Sequence, residues 1–444
     1  MNHEIYLILR RPGQSRLVRN LLAAICVGLI TGLIVGCFRW IIDQTLRGLA
    51  IIYPYLNHHP IYLIPYIIVT FIICWILGKV IQPELQNLVG SGVPQIEAVM
   101  LDINQLPWWS ILWRKFIGGL LAICPGLFLG REGPCIEMGA MVGQGLSTKV
   151  FHLNKEDQRL LLSCGVAAGL SAAFSAPIAG TLFLLEEITF QFKAKTAVTA
   201  LASAIVADLV TIIFFGTKPC LYLPMKDLLP TSAYFPLIGV GIILGLFAYL
   251  YQYVILTLPS LYGHLKFIPR HYHSIVPLLL VIPIGLWQPI ILGGSHDLIN
   301  HLVKGDFAQL ATAGSMSLLS LAMVMLIIRF IFSMVSYGSS VPGGIFMPIL
   351  VLGALFGVIF AILLIQWHLL PAANYINVVI ICMTAYFGAI EKAPFTAVTL
   401  LTEMVGSVEQ IFPMLLVTFI AYVVNDWLGG RPIYSALRQQ IYGK

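Results

Sequence analysis

The chain has 444 residues, of which 59% are hydrophobic and only 10% charged, where a soluble domain carries about 25% charged residues. That balance excludes a soluble globular enzyme or binding domain and points to a polytopic membrane protein. The net charge of +6 does not signal nucleic acid or acidic substrates, because the basic residues form no long patch and sit mostly between apolar runs, as topology-setting loop charges do.

Arg10, Arg11, Arg16 and Arg19 precede an apolar run over residues 21–38. The run is long for a signal-peptide core, and Arg39 follows it without a small-residue cleavage site. Residues 1–20 are therefore expected to be a cytoplasmic segment ahead of a retained first helix. Further stretches close to the ~20 residues a span requires lie at 61–77, 160–185, 235–258, 275–292, 318–335, 345–367, 376–390 and 412–424. The runs 89–100, 116–130 and 393–405 are shorter or broken by Gly and Pro. They predict helices that stop partway, where irregular backbone must line protein or a watery cavity. With ten residues after Tyr434, no soluble regulatory appendage is expected.

An internal repeat organises these elements. Ser175-Ala176-Pro177 through Glu186 lies over Lys392-Ala393-Pro394 through Glu403, and Pro125-Gly126 lies over Pro342-Gly343, both at an offset of 217 residues. Weak internal symmetry with broken apolar segments points to a transporter whose site lies between the repeats. The reading is one transmembrane domain over 21–444, with a first repeat at about 21–215, a second at about 233–427, and a final segment carrying Tyr434. The sequence leaves open whether the repeats are inverted.

Four glycine- or proline-marked stretches supply candidate chemistry. In Gly90-Ser91-Gly92-Val93-Pro94, Ser91 either caps the helix that Pro94 opens or offers its hydroxyl to an anion. Gly130-Arg131-Glu132-Gly133-Pro134 sets a carboxylate between apolar runs. At membrane depth such a group costs roughly 2.5–3.5 kcal/mol or more and marks a functional site, unless the stretch is a surface loop with a solvated Arg131-Glu132 pair. A helix start attracts anions through free amides and the dipole, so Glu132 there is a tethered, titratable competitor for an anion: a gate. Gly343-Gly344-Ile345-Phe346-Met347-Pro348 has no ionisable group, and its amides either face an ion or its glycines simply pack. Tyr434, after Arg431-Pro432-Ile433, is either an anion donor or an interfacial belt aromatic.

Glu186 and Glu187 end the run that begins at Leu160. Adjacent helical side chains diverge by about 100°, so the two serve different faces. Glu186 repeats as Glu403 and reads as structural, whereas Glu187 falls on Met404 and is the better functional candidate; water-facing helix-end charges are the alternative for both. The eight cysteines are scattered in mostly apolar sequence without a C-x-x-C pair, and no H-E-x-x-H occurs among the histidines. Neither disulfides, a metal site nor a cofactor is expected. Without a nucleophile–base set, an enzyme is not expected either.

Taken in order, the stretches at Gly90–Pro94, Gly130–Pro134 and Gly344–Pro348, with the late Tyr434, resemble the CLC family of chloride channels and chloride/proton antiporters. The resemblance spans nearly the whole chain from about residue 20. It implies an all-α membrane fold of two inverted repeats with broken, re-entrant helices, assembled as a homodimer in the lipid bilayer, here a bacterial inner membrane. It further implies that Ser91, Tyr434 and the amides of Ile345 and Phe346 bind chloride, that Glu132 gates, and that Gly90, Gly92, Gly130, Gly133 and Gly344 shape the site. Glu187 matches the internal proton-transfer glutamate of the antiporters, so chloride/proton antiport is expected, with a passive gated chloride channel as the alternative. Cys135, Glu137 and Ser340 depart from the usual pattern, and Glu137 is expected to perturb the gate from about one and a half turns away.

Overall fold

A computed structural model describes residues 12–221, 228–304 and 317–443; Arg10 and Arg11 of the N-terminal segment lie outside the described residues. Among the described residues the chain is helical, with two isolated backbone bridges and no strand. The first half comprises α1 (Pro12–His58), α2 (Leu63–Ile81), α3 (Val93–Met100), α4 (Trp108–Ile123), α5 (Glu132–Gly145), α6 (Lys155–Phe174), α7 (Pro177–Phe183) and α8 (Ala194–Phe215). The second comprises α9 (Tyr234–Tyr262), α10 (Ile275–Trp287), α11 (His296–Lys304), α12 (Leu318–Gly338), α13 (Phe346–Gln366), α14 (Tyr375–Glu391), α15 (Pro394–Val405) and α16 (Ile411–Trp427). A last helix, α17 (Ile433–Tyr442), follows. Seven helices (α1, α2, α8, α9, α12, α13 and α14) are long and apolar enough to cross a membrane. The protein is an integral, multi-pass membrane protein.

Burial separates the helices by role. α13 and α14 carry apolar residues on all sides and are enclosed, as helices apolar all round must be. On α2 the side chains of Ile64, Ile68, Phe71, Ile72 and Trp75 are about half exposed, a surface suited only to lipid. α1 has 47 residues, about 70 Å at 1.5 Å per residue, so it overshoots a bilayer core of ~30 Å. Its start is tied down by Arg16 and Arg19, which pair with the buried carboxylate of Asp157 at the start of α6.

One expected span is corrected, and one helix lies outside the expected spans. Residues 160–185 are not one helix: α6 stops at Phe174, Ser175 turns left-handed (φ 56), and Pro177 opens α7, because proline cannot continue the preceding turn. A single π turn over Leu184–Ile188 then extends α7. Conversely, α8 is a long apolar helix that the sequence pattern leaves out, its run being interrupted by Lys195 and Asp208.

The repeats are inverted. α7 packs against α15, and each ends with a glutamate that caps the start of the other. Glu186 accepts the amides of Phe395 and Thr396 at 3.2 and 2.7 Å, and Glu403 accepts those of Ile178 and Ala179 at 3.1 and 2.7 Å. Two equivalent helices that cap one another in this way run antiparallel. The same 217-residue spacing relates Ser175 to Lys392, both left-handed at helix ends. Around the glycine loops the spacing changes: Gly130 and Gly344, 214 residues apart, exchange reciprocal amide bonds of 2.7 Å. Pro342-Gly343 therefore lies opposite Phe128-Leu129, and its sequence match to Pro125-Gly126 is not a structural equivalence.

Buried cations follow the symmetry too. Lys115 of α4 donates to the carbonyls of Leu88 and Gly90, each at 3.0 Å, ahead of α3. Arg329 of α12, 214 residues later, donates to those of Ile291 and Gly293 at 2.9 and 2.8 Å, ahead of α11. Each cation satisfies carbonyls of an irregular loop that has no water to turn to.

Candidate functional site

The loops before α3, α5 and α13 are pressed together, so three helix starts meet. A methyl group on Gly133 would meet Ser91 Cβ at 2.5 Å, so only glycine lets α5 approach Ser91. Gly92 takes φ +90 and lies against the Glu137 carboxylate, which a side chain would strike. Gly90 also has positive φ, while Gly130 and Gly344 form the reciprocal bridge. The five glycines singled out in the sequence thus all lie where the three loops touch.

Each helix start leaves amides without intrahelical partners. The first internal bonds run from Ile96 to Gly92 in α3, from Cys135 to Arg131 in α5 and from Ile349 to Ile345 in α13. The amides of Ile345 and Phe346 precede the last of these. Ser91, fully buried, accepts the amide of Val93 at 3.3 Å, and its hydroxyl proton remains available to a ligand. Gly92 rather than Ser91 holds the N-cap position of α3, without a side-chain cap, so the capping reading of Ser91 is not met. Phe346 is buried against Phe174, Phe183 and Phe387, with centroids 5.2, 6.1 and 4.4 Å apart. Phe183 in turn stacks edge-on to Tyr434 at 6.3 Å. Tyr434, in the first turn of α17, is fully buried rather than interfacial, and its hydroxyl has no hydrogen-bond partner.

Glu132 is the first residue of α5 and is fully buried, with neither carboxylate oxygen hydrogen-bonded. The solvated Arg131-Glu132 pair does not form: Arg131 is buried and pairs with Asp43 of α1. The neighbour of Glu132 is instead His296, the first residue of α11, with Nε2 3.5 Å from Oε1. The sequence reading missed this histidine, whose only signal is a helix start after Gly293-Gly294 matching the glycine loop before α3. His296 borders a cavity of about 540 Å³ also lined by Arg39, Arg47, Arg131 and Lys218, with Asp43 and Asp297. Four cations against two carboxylates leave the cavity net positive, which favours anion entry. Glu137, expected to perturb the gate, is instead held in an ion pair with Lys115 at 2.7 Å, both side chains fully buried.

Glu187 has different surroundings. It lies in the π turn after α7, is buried, and has an oxygen without a partner. Glu391, Glu97 and Tyr434 are its charged and polar neighbours. Glu97 of α3 is neutralised by Arg438 at 3.0 Å and accepts from Ser435 at 3.2 Å. Ser91, Glu132, Ile345, Phe346 and Tyr434 thus form one neighbourhood, and Glu187 reaches it from another side through Tyr434.

The sequence profile of the voltage-gated chloride channel family matches residues 69–426. A H(+)/Cl(-) exchange transporter, ClcA, of Vibrio cholerae is 33% identical over 389 residues, covering 85% of this chain and 80% of that protein. A ClcA of Klebsiella pneumoniae is 29% identical over 469 residues, covering 100% of this chain and 94% of the relative. Among solved structures, a slow cyanobacterial Cl-/H+ antiporter superposes with a TM-score of 0.86 at 26% identity, covering 96% of this chain and 98% of that one.

Proposed function

The chain belongs to the voltage-gated chloride channel family, and from that premise we propose that it is a chloride/proton antiporter gated by Glu132. One observation carries the gate: a buried carboxylate at a helix start, with His296 Nε2 3.5 Å from Oε1, beside the glycine loops that hold Ser91 and the Ile345 and Phe346 amides. Chloride binds the hydroxyls of Ser91 and Tyr434 and the amides of Ile345 and Phe346, where the helix start favours negative charge. Ionised Glu132 competes for the adjoining position at the start of α5. A proton removes its charge and its claim on those donors, the side chain withdraws, and chloride advances. One position cannot hold carboxylate and chloride together, so each ion's movement is tied to the other's. Glu187 supplies protons from the cytoplasmic side, and His296 stands at the vestibule side of the gate.

The same proposal includes a homodimer in a bacterial inner membrane. Exposed Ile205, Leu209 and Ile213 on α8, with Phe412, Phe419 and Trp427 on α16, form an apolar surface that would face either lipid or the partner copy. The test is flux from purified protein in liposomes. A chloride gradient is expected to drive protons uphill, and Glu132→Gln is expected to pass chloride while proton movement falls below about a tenth. Proton pumping that survives the substitution would overturn the gate assignment, and a wild-type protein that moves chloride without protons would be a passive channel.

A further inference from the structure

Glu391 is the last residue of α14 and is fully buried, with neither carboxylate oxygen hydrogen-bonded. In the sequence it stands next to Lys392. The structure separates them. Lys392 takes φ 61 and turns away, donating to Asp426 at 2.9 Å and lying over the Tyr422 ring at 4.2 Å. Around the Glu391 carboxyl are Tyr434 of α17, Glu187 of the π turn, Glu97 of α3, Tyr337 of α12 and Tyr251 of α9. Of the cations nearby, Arg438 is bound to Glu97, and Arg329, which acts on Tyr251, donates to the Ile291 and Gly293 carbonyls. At the 217-residue spacing the first half has Phe174 in this place, so the scaffold does not need an acid there.

A tyrosine hydroxyl has one proton to donate. If Glu391 is ionised, Tyr434 can give that proton to the carboxylate or to chloride, and the carboxylate repels the chloride in a dry site. If Glu391 is protonated, both obstacles vanish and its own O–H becomes a donor. The Tyr434 hydroxyl is buried and faces the Glu391 carboxyl, so the carboxylate and a chloride ion would compete for the same donor.

We propose that Glu391 is a proton-binding residue of the exchange cycle, receiving a proton from Glu187 and, once neutral, admitting chloride to Tyr434. In the transfer the O–H bond of Glu187 breaks, an O–H bond forms on Glu391, and the negative charge passes from Glu391 to Glu187. The inference rests on the antiport reading above and adds to it a second point where proton and chloride loading are linked.

The experiment compares wild type, Glu391→Gln, Glu391→Asp and Glu187→Gln in liposomes, recording chloride and proton flux together, with chloride affinity measured by calorimetry at pH 5 and pH 8. In Glu391→Gln, proton flux per chloride is expected to fall about tenfold, and a chloride affinity that weakens about tenfold from pH 5 to pH 8 in wild type is expected to become flat. Glu391→Asp is expected to restore both. If Glu391→Gln keeps the wild-type ratio and pH dependence while Glu187→Gln loses coupling, this inference fails and the antiport reading stands. If wild type itself moves no protons, the antiport reading fails. Equal losses of chloride and proton flux in Gln and Asp variants alike would make Glu391 a structural residue and overturn the proposal.

Discussion

At the start of α5 the first helical residue is Glu132; at the start of α13, 214 residues later, it is Phe346. The two starts are built alike, each preceded by a glycine that bridges to the other, yet one presents a carboxylate and the other an aromatic ring. The same contrast recurs twice, in Glu187 against Met404 and in Glu391 against Phe174. Where an acid is repeated, as in Glu186 and Glu403, it caps a helix and its charge is satisfied. The three unrepeated acids just named keep buried oxygens without hydrogen-bond partners. Symmetry therefore marks what holds the fold, and the unsatisfied departures from it are the three acids to which we assign ion movement.

Glu137 puts that division to a hard test, because it too is buried and unrepeated, with Val351 at the equivalent place. Its partner Lys115 makes the difference. Removing one member of a buried pair costs about 3–5 kcal/mol because the other is left uncompensated. Lys115→Met is therefore expected to lower stability by about that much in detergent unfolding, and adding Glu137→Gln is expected to recover most of it. A double variant as unstable as the single one would show that Lys115 acts mainly through the carbonyls of Leu88 and Gly90, as Arg329 does through its own loop.

The second largest effect is expected at Glu187. Glu187→Gln should retain chloride flux and lose proton flux per chloride by about tenfold or more, about 1.4 kcal/mol on the proton step. Unaltered coupling would return Glu187 to the structural class with Glu186 and remove one of the three asymmetric acids.

The local chemistry of helix starts was legible in the sequence, because Gly and Pro fix backbone conformation over a few residues whatever surrounds them. Gly130–Pro134 and Gly344–Pro348 accordingly mark two helix starts that the structure brings together. The all-α membrane class followed from composition. Contacts across the fold were not legible. Nothing near Glu137 in the chain announces Lys115, nothing near Glu132 announces His296, and nothing near Glu391 announces Tyr434. The break between α6 and α7 was hidden because Ser175 adopts its left-handed turn without being glycine.

The smallest effect probes the symmetry itself. Glu186 and Glu403 each accept two amides at the start of the opposing helix, and losing such a cap costs typically about 1 kcal/mol. The match is incomplete: Glu186 also accepts the Thr396 hydroxyl at 2.7 Å, whereas the residue facing Glu403 is Ala179, which has none. Glu186→Gln is therefore expected to destabilise more than Glu403→Gln by about 0.5–1.5 kcal/mol, one net hydrogen bond. In a Thr396→Ala background the two substitutions should cost the same in detergent unfolding. Glu403→Gln should leave the proton-to-chloride ratio at its wild-type value. If it uncouples protons instead, a repeated and hydrogen-bonded acid would be moving ions, and symmetry would no longer separate scaffold from site.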